Sequence, residues 1–439
     1  MSSQPRIAVI GAGIAGLSCA WLLRERYRVT VFEGGSTLGG HTNTVDVTLD
    51  GVTHPVDTGF LVFNDRTYPN LIALFRELGV ASVASDMSFS VRIPGEGLEW
   101  AGASLATVFA QKRNLVRPQF WAMLNDIVRF NREATAIACS GRATGLSLRG
   151  FLDAGGYGRA FREWYLLPMS AAIWSCPTGQ MLDYPADTLL AFCHNHGLLQ
   201  VTGRPQWRTV AGGGREYVRR LAAELPDVRL STPVAAVRRH GRFVEVVAAD
   251  GSVAPFDEVV LATHSPQSLA LLADADADER RVLGAVRYEP NRAVLHTDAA
   301  FLPRSRAAWS AWNYHCLTEG PGVQQPVGVT YLINKLQPLP FGRPVMVTLN
   351  PEREPERSQV IRSFDYEHPV FDRGAIDAQA RLPGLQGRRR TWFCGAWTGY
   401  GFHEDGLKSA LVVANALGCR APWQAPAAAP VRTEDAIAA

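Results

Sequence analysis

The chain lacks any apolar run of about 18 residues, so no helix able to cross a bilayer is expected. It lacks a Cys-x-x-Cys pair. Cys19, Cys139, Cys176, Cys193, Cys316, Cys394 and Cys419 are odd in number and scattered. That pattern supports neither a zinc site nor a redox dithiol, no metal is expected, and a reducing compartment fits. It lacks charge of one sign: 44 Lys and Arg face 41 Asp and Glu, a net +3. No basic cluster with interleaved aromatics occurs, so nucleic acid is not an expected partner. Arg388-Arg389-Arg390 is the one basic run; it reads as a solvated loop, with a lipid-headgroup patch as the alternative. No internal repeat is present. Low complexity is confined to the Ala- and Pro-rich stretch after Cys419, and 421–439 is expected to be a disordered tail. Met1 to Arg6 is short and polar, so no signal peptide is expected and a cytoplasmic setting is.

What is present starts at once. Ile7-Ala8-Val9-Ile10 reads as a buried parallel strand, Leu17 to Arg26 as a helix, and Val29 to Glu33 as a second strand ending in a carboxylate. Between strand and helix lies Gly11-Ala12-Gly13-Ile14-Ala15-Gly16. Gly11 permits a tight turn, Gly13 lets the backbone approach a pyrophosphate, and Gly16 lets helix and strand pack closely. The helix start, with Ile14 and Ala15, offers free N–H groups to phosphates, and Glu33 can accept from ribose hydroxyls. This is a Rossmann-type dinucleotide unit in an α/β protein.

The next residues narrow the cofactor. Gly34 follows Glu33, and then come Leu38-Gly39-Gly40-His41-Thr42 and, after a hairpin at Asp50-Gly51, Val56-Asp57-Thr58-Gly59-Phe60. Near the far end, Thr391 to Phe393 reads as a strand. Cys394-Gly395-Ala396-Trp397 follows it, then Gly401-Phe402-His403-Glu404-Asp405-Gly406-Leu407 and a helix from about Lys408 to Leu417. A middle segment carries Gly212-Gly213-Gly214, a helix from Arg215 to Glu224, Val234, and a strand ending at Thr263. Together these resemble the flavin-containing amine oxidase superfamily. The resemblance implies noncovalent FAD. It sets Gly39, Gly40 and His41 along the pyrophosphate, with His41 where the family carries Arg. It gives Val234 a backbone contact to adenine, and it closes the Gly395–Leu407 segment on the isoalloxazine, where a helix N-terminus stabilises developing negative charge.

A narrower resemblance covers about residues 5 to 420. Leu61-Val62-Phe63-Asn64, Asp86-Met87-Ser88-Phe89, Trp174-Ser175-Cys176-Pro177 and Gly203-Arg204-Pro205-Gln206-Trp207 look like bacterial flavoproteins associated with cyclopropane and furan fatty acid formation. They also look like the flavin-domain extension of plant cyclopropane fatty acid synthases. The resemblance implies a fatty acyl substrate, with a lipid methyltransferase as a partner and peripheral contact with the inner face of a membrane.

These anchors give a discontinuous FAD domain over 1–65, 203–280 and 386–420, interleaved with a substrate domain of mixed sheet and helices over 66–202 and 281–385. The first substrate insert is expected to be largely helical, with helices at Pro69–Leu78, Pro118–Ala138 and Pro185–His196. The second is expected to form strands at Ala293–Thr297, Ala307–Tyr314, Val327–Asn334 and Val345–Asn350. Phe120, Trp121, Trp164, Tyr165, Trp174, Trp309, Trp312, Tyr314 and Tyr331 favour core packing and an apolar ligand.

Catalytic candidates come from the loop over the flavin. His403 falls where amine oxidases often carry a Tyr, and an imidazole there could move protons near neutral pH. Glu404 is the neighbouring candidate, and Asp405 reads as a first-turn acid. His194 and His196 read as capping or surface residues, and Lys335 as a weaker candidate for an amine near the flavin. The expected activity is FAD-dependent dehydrogenation of an unsaturated or methyl-branched acyl chain. A redox-neutral double-bond isomerase, an amine oxidase and a non-catalytic flavoprotein partner stay open.

Overall fold

A computed structural model describes residues 4–141, 143–200, 202–315 and 328–424. Five parallel strands carry the nucleotide turn, in the order Val228–Arg229, Arg28–Phe32, Arg6–Ile10, Glu258–Leu261, Thr391–Phe393. The central strand is covered on both faces. Ile7 and Val9 point into one core, with the helices Ile14–Leu23 and His403–Ala416. Ala8 and Ile10 point into another, with Val237, Val244, Val282 and Ala378. A strand buried on both sides must be apolar throughout, as this one is.

A seven-stranded sheet forms the second layer. Its order is Val360–Val370, Arg287–His296, Met346–Leu349, Gly328–Leu332, Trp312–His315, Phe89–Ile93, Leu98–Ala101, antiparallel except where Trp312–His315 runs beside Phe89–Ile93. The helices Pro118–Ser140, Leu148–Ala154, Leu167–Trp174 and Ala186–Asn195 pack on it through Phe120, Met123, Phe130, Leu152 and Leu189. The Asp50-Gly51 and Asp250-Gly251 hairpins form as expected between Thr44–Leu49 and Val52–Asp57, and between Phe243–Ala248 and Val253–Phe256. Both Asp50 and Gly51 take positive φ, the turn that matches strand twist.

Several expectations need correction. The first substrate insert is largely helical, as expected, but it also holds the short strands Ser82–Ala84, Phe89–Ile93 and Leu98–Ala101, captured by pairing with Trp207–Val210, with Trp312–His315 and with each other. The strand expected from Ala307 begins at Trp312, since Arg306–Ala308 turns as a 3-10 helix. The strand expected to reach Asn334 stops at Leu332 and becomes the short helix Ile333–Leu336; its expected start, Val327, lies outside the described residues. The last helix begins at His403, not Lys408. Asp405 accepts from the backbone N–H groups of Tyr400 (3.0 Å) and Phe402 (3.1 Å) and so starts the helix from within its first turn. At the expected tail, Ala421 is buried, and Trp423 stacks on Trp21 and donates to Asn70, so this part of the tail is packed on the fold. Residues 425–439 lie outside the described residues.

Candidate active site

The two layers enclose a cavity of about 800 Å³. One end is built from the glycine turns. At Gly11 the backbone takes φ +101°, and a Cβ there would meet the Ala262 carbonyl oxygen at 2.9 Å. A Cβ at Gly16 would sit 1.9 Å from the Gly11 carbonyl oxygen. Only glycine allows the helix to start this close to the turn. Gly13 differs: a Cβ there would meet nothing within 4 Å, because it faces the cavity. Gly40 lies over it, its would-be Cβ 3.3 Å from the Gly13 Cα. Glu33 braces this end. Its Oε2 accepts from the Ala12 N–H (2.8 Å) and its Oε1 from the Gly35 N–H (2.7 Å), leaving each oxygen a second lone pair for a hydroxyl donor.

Gly11, Gly13, Ile14, Ala15, Glu33, Gly34, Gly39, Gly40, His41, Thr58, Gly59, Phe60, Val234, Thr263, Gly395, Ala396, Trp397 and His403 all line the cavity. Gly16, Thr42, Asp57, Glu404, Asp405, Gly406 and Leu407 stand behind the wall. Thr42 bonds to Tyr217 and, at 2.8 Å, to His403 Nε2. Asp57 accepts from the Gly214 N–H, Thr44 and Gln337, and burial raises its carboxyl to about 6. Gly406 packs against Ile14, and Leu407 is core.

Glu404 is not at the cavity. Its carboxylate accepts from the Asn70 side chain (2.7 Å), the Asn70 N–H (3.1 Å) and the Leu71 N–H (2.9 Å), capping the helix Pro69–Glu77. Lys335 is also elsewhere, paired with Asp86 at 3.0 Å near the surface. His196, expected as a capping or surface residue, is the C-cap of Ala186–Asn195, with Nδ1 3.0 Å from the Phe192 carbonyl oxygen, and it also lines the cavity, its ring stacked on Phe192 at 3.9 Å.

Sequence reasoning missed a wall of histidines. His41, His264, His368 and His403 meet from four distant segments, with His41 5.2 Å from the Tyr366 ring and 5.4 Å from His368. Burial pushes His41 down to about 4 and His368 and His403 to about 3, with neighbouring imidazoles adding to the effect, so all three are neutral at pH 7. Nε2 of His41 and Nδ1 of His368 are shielded from solvent with no partner among the described residues. His403 stacks on Phe60 at 3.7 Å and uses Nε2 for Thr42 and Tyr217. A signal for His368 existed: Phe364, Tyr366 and His368 alternate along one strand.

The other end of the cavity is apolar: Leu61, Met87, Ile173, Trp174, Trp312, Tyr331 and Phe371 line it. Phe120 and Trp164 are core, and Trp121 faces solvent. The charged side chains among the described lining residues are Glu33 and Glu367, and Glu367 pairs with His264 at 3.1 Å.

Residues 14–307 match the flavin-containing amine oxidoreductase family. The chain belongs to that family. It is 29% identical over 341 residues to the carotenoid phi-ring synthase of Streptomyces griseus, covering 69% of this chain and 63% of that protein. It thus spans less than two thirds of that curated relative. Two solved structures share the fold: a CLA-producing fatty acid isomerase from P. acnes (TM-score 0.67, 16% identity, 94% of this chain and 99% of that one) and cyclohexylamine oxidase from Brevibacterium oxydans (TM-score 0.69, 14% identity, 95% and 100%). The cofactor of this family of enzymes is FAD, and the residues fit it. Gly13 leaves open the space that a pyrophosphate needs, Glu33 keeps lone pairs for a ribose, and the His41 Nε2 is a shielded polar atom awaiting a partner. The chain thus carries the residues that would hold this family's flavin.

Proposed function

We propose that this enzyme dehydrogenates an unsaturated or methyl-branched fatty acyl chain. The observation that carries the proposal is the charge of the cavity. Its far end is aromatic and aliphatic and holds no carboxylate: Glu33 stands among the glycine turns, where its remaining lone pairs suit a ribose, and Glu367 stands beside His264. A cationic amine would be stranded there, whereas a long hydrocarbon chain is matched. The name of the Streptomyces relative, a carotenoid enzyme, supports an apolar substrate.

Bound flavin supplies hydride acceptance. One C–H of the chain would give up hydride and its neighbour a proton, forming the double bond, and the two electrons would leave for oxygen, a quinone or another protein. The neutral imidazole wall is where the proton goes, and His403 is the first candidate to receive it. Its Nε2 is committed to hydroxyls, so Nδ1 is the nitrogen left for substrate. Anaerobic mixing with lipids carrying cis-monounsaturated or methyl-branched chains should bleach the oxidised-flavin band and add a double bond, detected by mass spectrometry. Bleaching by spermine or benzylamine with no lipid response would overturn the reading. A moved double bond without net bleaching would make the enzyme an isomerase.

A further inference from the structure

The helical layer turns an unusual face to solvent. Leu105 is 80% exposed, Val116 83%, Trp121 50% and Leu115 49%. Most large apolar side chains of this protein are buried, and these four lie within seventeen positions of one another. They sit on three consecutive short turns: the helix Leu105–Val108, the 3-10 turn Lys112–Val116, and the first turn of Pro118–Ser140. The turns are fastened together. The Trp121 indole N–H donates to the Leu115 carbonyl at 2.9 Å, and its ring lies 5.3 Å from Phe109. Phe109 in turn packs on Phe120 (5.8 Å), and Phe120 on Trp100 (6.2 Å). Trp100 belongs to the edge strand Leu98–Ala101 of the seven-stranded sheet. The apolar groups are therefore held outward by a rigid base. Val128, 66% exposed, follows Trp121 by two helical turns on the same face and extends the patch by about 10 Å.

The charge along this segment of the chain has one sign. Residues 104–121 include Lys112, Arg113 and Arg117 and no carboxylate. Arg117 leans on Glu96, donating to its carbonyl at 2.8 Å, with the carboxylate at 4.0 Å. Lys112 and Arg113 are exposed and have no ion pair among the described residues. The run Arg388-Arg389-Arg390 makes the contrast. Arg388 pairs with Asp276 and Asp278, Arg389 with Asp274, and Arg390 with Glu258. The longest basic run in the chain is thus neutralised, and the shorter, unpaired one is interleaved with the exposed apolar groups.

Protruding Leu and Val side chains, an indole at their margin and unpaired cations around them match one kind of surface: hydrocarbon beneath anionic headgroups. We infer that residues 105–121, with Val128, dock this protein on an anionic phospholipid bilayer without crossing it. No helix among the described residues is long and apolar enough to cross. The inference draws its biological sense from the lipid reading above, but vesicle binding is read without turnover, so either can fail alone.

The test is flotation of the FAD-loaded full chain with phosphatidylcholine vesicles, with and without phosphatidylglycerol. Wild type should float with the phosphatidylglycerol vesicles, less with phosphatidylcholine alone, and less as salt rises. Leu105→Asp with Val116→Asp should lower partitioning by at least about tenfold, and Lys112→Glu with Arg113→Glu should remove the preference for phosphatidylglycerol. Flavin absorbance and melting temperature should match wild type in both variants, since neither pair touches the cavity or the core. Wild type that fails to float, or variants that float equally well, would overturn the inference. So would a wild-type dimer in sedimentation that Leu105→Asp with Val116→Asp splits, because a second copy would then cover the face.

Discussion

Two glycines three positions apart separate folding from cofactor binding. A side chain at Gly16 would collide with the Gly11 carbonyl, whereas one at Gly13 would enter open cavity. Gly16→Val is therefore expected to yield little folded protein, because backbone cannot yield to a contact that short. Gly13→Val should fold with a near-native circular dichroism spectrum and purify without flavin. A yellow Gly13→Val protein would refute the assignment of this turn to the pyrophosphate. His403 gives the second residue-scale expectation. His403→Phe keeps the stack on Phe60 but removes Nε2 from Thr42 and Tyr217, which still bond each other. Stability should fall by about 1 kcal/mol. Anaerobic flavin bleaching by lipid should slow by about 10²-fold with FAD content unchanged. An unchanged rate would move the proton role to His368, whose Nδ1 lacks a partner among the described residues.

At the scale of elements, the helix Pro69–Glu77 depends on a residue more than 300 positions away. Glu404 satisfies the N–H groups at its start. Glu404→Gln keeps an acceptor but loses the charge that favours a helix N-terminus. The melting temperature should drop by a few degrees while flavin bleaching keeps its wild-type rate; a slowed rate at unchanged stability would return Glu404 to the chemistry. This cap also shows where the sequence stops being legible. Gly11 to Glu33 could be read directly because strand, turn, helix and acid are contiguous. The start of the final helix could not, because Gly399, Gly401 and Gly406 break the helical signal and the capping group, Asp405, lies inside the helix. The strands Phe89–Ile93 and Leu98–Ala101 were hidden for another reason. They are short, and their partners are each other and Trp312–His315, more than 200 positions on. The imidazole wall is the extreme case: its members come from positions 41, 264, 368 and 403, and only the folded chain brings them together.

The whole molecule carries an acid sensitivity. His41, His196 and His296 are pushed down to about 4, and His315, His368 and His403 to about 3, each chiefly by burial. The unfolded chain takes up these protons near pH 6.5, and the folded chain refuses them until about pH 4 or below. Stability is therefore full above about pH 6.5 and falls as pH drops through that window. Asp57, raised to about 6, works in the opposite direction, as do Glu404 and Asp405, also raised by burial, since the folded state holds protons that the unfolded chain releases. The six histidines outnumber these three carboxylates. The melting temperature should fall between pH 7.5 and pH 5.5, and a flat or rising value would contradict the neutral, buried histidines.

The final helix, which packs against Ile14 and places His403 on the cavity wall, also has a consequence in time. The nucleotide turn is made about 390 residues before the helix that covers it. At roughly 5–20 residues per second, that interval is about 20 to 80 s. For all of it, the apolar helix Ile14–Leu23 lacks its largest neighbour, and the parallel sheet lacks its edge strand Thr391–Phe393. The nascent chain must be shielded from aggregation over that interval, and FAD can be enclosed only once synthesis has passed Ala416.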